Sequence, residues 1–290
     1  MIAGLQIGDA HAYSQNRAVA MAFSSRRLQV NDVQMHVVDE GQGAPVLLIH
    51  GFPDTHAVWR HQIPALVAAG YRVIAPDVRG HGETDAPKPV SAYRLDQQVA
   101  DMVALLDALD IREPVRLVGH DLGSITGWVL AGRYPGRVHR FAALTVGHPN
   151  AYGTDPKQFL MGWYALMFQL RGVAEAVLRG GDWFVFRRFA AHPEVPHWIE
   201  QLSRPGRLSA AIAWYRANLF PMLRGQFPPV RVPVMGLYAT RDIALTEAQM
   251  TASKAYVQNE WRYERIKASH WLQLDKPEEI NRLLLEWFAA

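Results

Sequence analysis

The sequence predicts an α/β protein built on a mostly parallel, doubly wound sheet that is interrupted by a helical insertion. Three observations predict it. From Arg27 to Thr145 short β-rich runs alternate with helical patterns. Between His148 and about Pro229 the strand signal vanishes, and Trp, Phe, Met, Leu and Arg dominate in helical patterns broken at Gly180-Gly181 and Pro205-Gly206. Strand character then returns at Val232 to Tyr238 and at Trp261 to Ile266.

Taken in order, Met1 to Ser25 is mixed, and its longest apolar stretch, Ala18 to Phe23, is too short for a signal-peptide core or a membrane span. A loose tail is expected there, with Met21 as an alternative start. Leu28 to Val30 and Met35 to Asp39 read as a hairpin turning at Asn31-Asp32. Pro45 to Ile49, Tyr71 to Pro76, Val115 to Val118 and Phe141 to Val146 are apolar enough for a sheet covered on both faces. Val99, Met102, Val103, Leu106 and Leu109 fall on one stripe, which makes Leu95 to Leu109 a crossover helix. Pro277 suits the first turn of a closing helix. The expected plan is a tail at 1–25, a core at 26–147 and 230–290, and a helical cap at 148–229, with no internal repeat or low-complexity tract.

The 290 residues are 49% hydrophobic and 20% charged, the balance of a packed globular protein. The net charge of +3 is scattered, without a run of like charges, so nucleic acid is not an expected partner. Absence of cysteine excludes disulfides, thiolate catalysis and Cys-type zinc sites, and suits the reducing cytoplasm.

Val118-Gly119-His120-Asp121-Leu122-Gly123-Ser124 runs from an apolar strand through a tight turn into the helical pattern Ile125, Trp128, Val129. Such a turn strains its middle residue, and glycines two before and two after remove colliding side chains. Asp121 therefore stands where a nucleophile would stand. A carboxylate is already ionised at neutral pH, needs no base to attack, and suits a saturated carbon bearing a leaving group. The helix that follows adds its positive end.

Three more segments follow strand ends, where open α/β sheets place their sites. His50-Gly51-Phe52-Pro53 would offer the Phe52 N–H, with that of Leu122, as an oxyanion hole, while His50 and His120 brace the loops. Asp242 follows Tyr238-Ala239-Thr240-Arg241, and His270 stands in Ala268-Ser269-His270-Trp271. The order nucleophile, acid, base makes Asp242 the residue that orients His270. Arg79-Gly80-His81-Gly82-Glu83 reads as a supporting loop; His81 and Glu83 lack further ligand spacing, so no metal or other cofactor is expected.

HGFP at His50, RGHG at Arg79, GHDxG at Gly119 and ASHW at Ala268 resemble, in order and separation over residues 27 to 288, the α/β-hydrolase-fold epoxide hydrolases. Haloalkane and fluoroacetate dehalogenases share much of the pattern. The resemblance implies two cap tyrosines that donate to the epoxide oxygen. Tyr164, in Trp163-Tyr164-Ala165-Leu166-Met167-Phe168-Gln169, and Tyr215, in Trp214-Tyr215-Arg216-Ala217-Asn218, match the family's motifs, the second with Ala217 interposed.

A halide-holding site in such proteins uses a Trp after the nucleophile and an Asn in the HGxP loop, where this chain has Leu122 and Phe52. Fluoroacetate dehalogenases clamp a carboxylate with arginines one and four positions after the nucleophile, where Leu122 and Ile125 stand. Leu122 also replaces the Trp common in epoxide hydrolases, which alters the pocket wall. The implied reaction is opening of a small apolar epoxide by Asp121, followed by hydrolysis of the ester with water activated by His270. The expected pocket takes Phe52, Trp59, Leu122 and Trp271 from the core and His148, Tyr152 and Trp163 from the cap side, His148 and Tyr152 also suiting a hinge. Stable membrane association is not expected, and a homodimer is allowed. A dehalogenase and a non-catalytic small-molecule receptor are the rival readings.

Overall fold

A computed structural model describes residues 23–290. Of the expected tail, residues 1–22, with the alternative start at Met21, lie outside the described residues, while Ser25 already opens the first strand. The strands are β1 (Ser25–Val30), β2 (Val33–Glu40), β3 (Pro45–Ile49), β4 (Arg72–Pro76), β5 (Val115–His120), β6 (Val138–Leu144), β7 (Val234–Ala239) and β8 (Trp261–Ile266). They form one eight-stranded sheet in the order β1-β2-β4-β3-β5-β6-β7-β8. The β1–β2 and β2–β4 pairs are antiparallel, and every pair from β4 to β8 is parallel. This is the α/β-hydrolase fold.

The hairpin turns where expected, Val30 facing Val33 and Asn31 taking a φ of 50°. β1 begins three residues earlier than the hydrophobic pattern suggests, because Ser25, Arg26 and Arg27 are exposed on an edge strand and are held by backbone pairing with β2. β6 runs from Val138 rather than Phe141, and Thr145, with a φ of 68°, follows its end. β3 and β7 are buried at every position, as strands covered on both faces must be.

Before the insertion come α1 (Gln62–Ala68), α2 (Leu95–Ala108) and α3 (Leu122–Arg133). α3 is buried from Leu122 to Ala131, and a Cβ on its Gly127 would lie 2.6 Å from the Phe141 ring, so the glycine lets helix and sheet close up. Between β6 and β7 lie α4 (Pro156–Met161), α5 (Trp163–Met167), α6 (Val173–Ala190), α7 (Val195–Ser203) and α8 (Arg207–Arg224). The breaks fall at the glycines: α6 is interrupted at Gly180 to Trp183, and Gly206, with a φ of 77°, precedes α8.

After β7 come α9 (Glu247–Ala252), α10 (Leu272–Asp275) and α11 (Pro277–Ala289). α11 buries Ile280, Leu283, Leu284, Trp287 and Phe288, each such side chain contributing about 1.5–3 kcal/mol.

Polar contacts tie the insertion to the core. Asn218 of α8 accepts from Leu95 N–H at 2.7 Å, satisfying one of the free amides at the start of α2, and donates to the Tyr93 carbonyl at 2.8 Å. Trp214 donates from Nε1 to Gln98 Oε1 at 3.2 Å, and Arg60 pairs with Glu194 at 2.7 Å. The helical insertion is thus held at fixed points above the loops that follow the strands.

Candidate active site

Asp121 caps the start of α3 with a φ of 52° and a ψ of −121°, a conformation that costs a residue with a Cβ about 1–3 kcal/mol. The neighbours make room for it. A Cβ on Gly119 would lie 2.5 Å from the Gly123 carbonyl oxygen, and one on Gly123 would lie 2.1 Å from that of Ile49. A Cβ on Gly51 would lie 2.3 Å from Asp121 Oδ1 and 2.6 Å from Leu122 N, so Gly51 lets two loops converge on one carboxylate.

That convergence sets the electrostatics. Phe52 N–H donates to Asp121 Oδ1 at 2.8 Å. Burial alone would raise the Asp121 pKa, but the His270 imidazole beside it, with help from the Leu122 amide, brings it below the ordinary carboxylate value. Asp121 is therefore an anion at neutral pH although it is buried.

His270 lies in the loop between β8 and α10, with Nε2 at 3.5 Å from Asp121 Oδ2 and Nδ1 at 2.7 Å from Asp242 Oδ2. The other Asp242 oxygen accepts from Ala244 N–H at 2.8 Å and Leu245 N–H at 3.0 Å, which fixes the carboxylate after β7. Burial opposes charge on His270, but the Asp242 and Asp121 carboxylates more than compensate and raise its pKa to about 10. In the resting site His270 and Asp121 are an ion pair.

His120 and His50 serve the backbone. His120 Nε2 donates to the His270 carbonyl at 3.0 Å, and burial lowers its pKa to about 3, so it stays neutral. His50 donates from Nδ1 to the Gly51 carbonyl at 2.9 Å and accepts from Val78 N–H at Nε2 at 3.0 Å. The RGHG loop is anchored by buried Arg79, which pairs with Asp101 at 2.7 Å. His81 is buried and neutral, with a pKa lowered to about 3 by desolvation, and Glu83 pairs with Arg204 of the insertion.

Asp54 belongs to the site without any motif to mark it. It sits buried directly behind the HGFP loop and accepts from the indole N–H of Trp198 at 2.8 Å and of Trp271 at 3.0 Å. Burial pushes its pKa up to about 7, against the pull of those two donors. It links α7 of the insertion to the residue after His270. The signal available in the sequence was an acidic residue immediately after an apolar catalytic loop.

A two-armed cavity meets at Asp121, Tyr164 and Tyr215. One arm, of about 50 Å³, is lined by Phe52, Trp163, Phe168, Phe186, His270 and Trp271 among others. The other, of about 690 Å³, passes Leu122, Ile125, Tyr152, Trp214, Phe227 and Tyr256. The two tyrosine rings lie 5.9 Å apart, near perpendicular, and Phe52 meets Tyr215 edge-on at 5.8 Å. Burial, with the Asp121 charge adding to it, holds both phenols well above their usual pKa, so both are neutral donors. Gln169 fixes the second by donating to the Tyr215 carbonyl at 3.2 Å. Ala217, interposed before Asn218, leaves Asn218 one turn beyond Trp214, whose carbonyl it also binds at 2.8 Å.

The structure thus brings Asp121, His270, Asp242, Tyr164, Tyr215 and the Phe52 and Leu122 amides to one place. Phe52, Leu122, Tyr152, Trp163 and Trp271 line its walls. Trp59 and His148, expected in the pocket, line neither arm. Trp59 is fully buried and lies edge-on to His120 at 6.5 Å, because it closes a 3-10 turn, His56–Trp59, that packs against β3, β4 and α10. His148 stacks on Tyr256 at 4.5 Å and donates to the Pro228 carbonyl at 3.2 Å, where it joins the two ends of the insertion.

Residues 44–183 match the alpha/beta hydrolase fold family. Epoxide hydrolase 4 of Homo sapiens is 33% identical over 279 residues, covering 89% of this chain and 76% of that protein. Epoxide hydrolase A of Mycobacterium tuberculosis is 30% identical over 320 residues, covering 93% of this chain and 98% of that one. Among solved structures, epoxide hydrolase A from Mycobacterium thermoresistibile superposes with a TM-score of 0.79 at 30% identity, covering 92% of this chain and 98% of that chain.

Proposed function

The chain belongs to the α/β-hydrolase-fold epoxide hydrolase family, and on that premise we propose that it converts apolar epoxides to vicinal diols through an ester on Asp121. The observation that carries this reading is the shared cavity: an ionised carboxylate, two neutral phenols and an imidazole face one space. The helical insertion, residues 148–229, acts as the cap that supplies the phenols.

In the first step Asp121 Oδ2 attacks an epoxide carbon, and the ring C–O bond breaks as a phenol of Tyr164 or Tyr215 gives its proton to the leaving alkoxide. Oδ1, held by the Phe52 amide, becomes the ester carbonyl. Esterification removes the Asp121 charge that had helped to raise the His270 pKa, so the imidazole can lose its proton, which restores the phenol through solvent. Neutral His270, oriented by Asp242, then takes a proton from water as that water attacks the ester carbonyl, and the Phe52 and Leu122 amides hold the oxyanion. Collapse releases the diol and returns the ion pair. Water is the only co-reactant, and the cytoplasm is the proposed compartment.

The dehalogenase alternative finds little support, since Leu122 and the Phe52 ring offer no polar side-chain atom to a departing halide. Turnover of styrene-like, aliphatic and terpene-like epoxides, read for diol, tests the reading. Halide release from haloalkanes with no diol from any epoxide would replace it, and tight binding without turnover would favour a receptor.

A further inference from the structure

The helical insertion leaves an unusual amount of apolar surface in water. Apart from Tyr134 and Ile243, every exposed large hydrophobic residue among the described residues belongs to it; Leu160 is 76% exposed, Phe184 67% and Leu166 61%. From Leu160 the exposed residues recur at Trp163, Leu166, Leu170, Val173 and Val177. Trp163 and Leu166 stand three apart on α5 and Val173 and Val177 four apart on α6, so each helix turns a pair of apolar side chains to water, while Leu160 belongs to α4 and Leu170 lies in the turn between α5 and α6. Scattered apolar residues need no explanation, but a concentration in one element marks an interaction surface.

The surrounding charge favours one partner. Between Pro156 and Ala190 the acidic residues are Glu175 and Asp182, and both are engaged, Glu175 by Arg216 at 2.8 Å and Asp182 by Arg187 at 3.2 Å. Lys157, Arg171, Arg179 and Arg188 have no ion-pair partner among the described residues and are all exposed. A second copy of this chain would bring like charges together across a two-fold interface. An anionic lipid surface would suit a segment that exposes both these apolar side chains and these cations.

The cavity opens on the same residues. Phe159 and Leu223 line the larger arm, and Trp163 and Ile243 line the smaller, yet all four are also exposed. We propose that this face docks reversibly on an anionic phospholipid bilayer: the apolar side chains enter the headgroup boundary, and the four cations meet lipid phosphates. Both cavity arms then open toward the lipid. That delivers lipophilic substrate directly, a consequence that rests on the epoxide reading, whereas docking itself does not. No helix among the described residues is long and apolar enough to cross a membrane, so contact would be confined to the surface.

Co-sedimentation of the purified full chain with phosphatidylcholine vesicles, with and without phosphatidylglycerol, tests the proposal without any turnover. Binding is expected to vesicles containing phosphatidylglycerol, on the order of tenfold weaker to phosphatidylcholine alone, and weaker with added salt. The combined substitution Leu160→Ser, Leu166→Ser and Leu170→Ser, none of which lines either arm, should lower binding on the order of tenfold or more and leave diol formation from a water-soluble epoxide unchanged. Arg171→Glu with Arg179→Glu should do the same by removing charge alone. Absence of vesicle binding, or binding that survives both variants, overturns the proposal, as does a wild-type dimer that both variants convert to monomer. Vesicle binding by a chain that turns over no epoxide would leave docking standing and remove the catalytic reading.

Discussion

His270 Nε2 stands 3.5 Å from Asp121 Oδ2 while Phe52 N–H holds the other oxygen of that carboxylate at 2.8 Å. One oxygen is thus committed to the Phe52 amide, and the other faces the imidazole and the cavity. The Asp242 and Asp121 carboxylates together hold His270 protonated, and a protonated histidine cannot act as a base; forming the ester on Asp121 removes one of the two anions and lowers the imidazole pKa. The site is arranged so that the first step prepares the second.

His270→Gln should retain ester formation and stall its hydrolysis. Intact-mass spectrometry after incubation with a good epoxide would then show the protein heavier by one epoxide mass, while Asp121→Ala gains nothing. Hydrolysis by the histidine variant at the wild-type rate would remove the base from the scheme.

Tyr164→Phe and Tyr215→Phe each delete a donor aimed at the developing alkoxide, and each should lower kcat by about 10²-fold, with a larger loss in the double variant. Binding of a diol, which needs no such stabilisation, should change far less. Pre-steady-state measurement of the alkylation step separates the two, and unchanged alkylation in the double variant would dismiss the phenols.

Gly51→Ala places a methyl group 2.3 Å from Asp121 Oδ1. Strain of this kind should cost about 1–3 kcal/mol of stability and drive the two loops apart, with a disproportionate loss of activity. Urea unfolding alongside kcat gives both, and a variant with normal kcat would show that the loop packing is not needed for chemistry.

The pKa of His270, raised above its unfolded value of 6.5 to about 10, means that its stabilising charge is fully present below pH 6.5 and is lost as pH rises through about 10. The stability difference between wild type and His270→Gln should therefore shrink between those limits. Asp121→Asn removes one of the two anions and should move the loss to lower pH. A difference that is flat from pH 6.5 to 10 would contradict the ion pair.

Much of this was legible because strand and elbow patterns are local. β3 and β8 begin and end where alternation and apolar runs place them, and Gly119, Asp121 and Gly123 mark a turn by spacing alone. The start of β1 was not legible, since an edge strand carries its order in backbone pairing with β2 rather than in hydrophobic side chains. Asp54 was not legible because its partners, Trp198 and Trp271, lie far away in sequence. The place of Trp59 was not legible for the converse reason: a tryptophan near a catalytic loop looks the same in sequence whether its indole faces the cavity or the core.

In this mechanism oxygen reaches the substrate from Asp121, and water enters only afterwards. A single turnover with enzyme in excess over epoxide, run in water enriched in oxygen-18, distinguishes this order from direct attack by water. An unlabelled diol and a heavy carboxylate in the peptide that contains Asp121 are expected. Oxygen-18 in the diol and none in that peptide would mean that water attacks the epoxide itself, and the covalent scheme would be wrong.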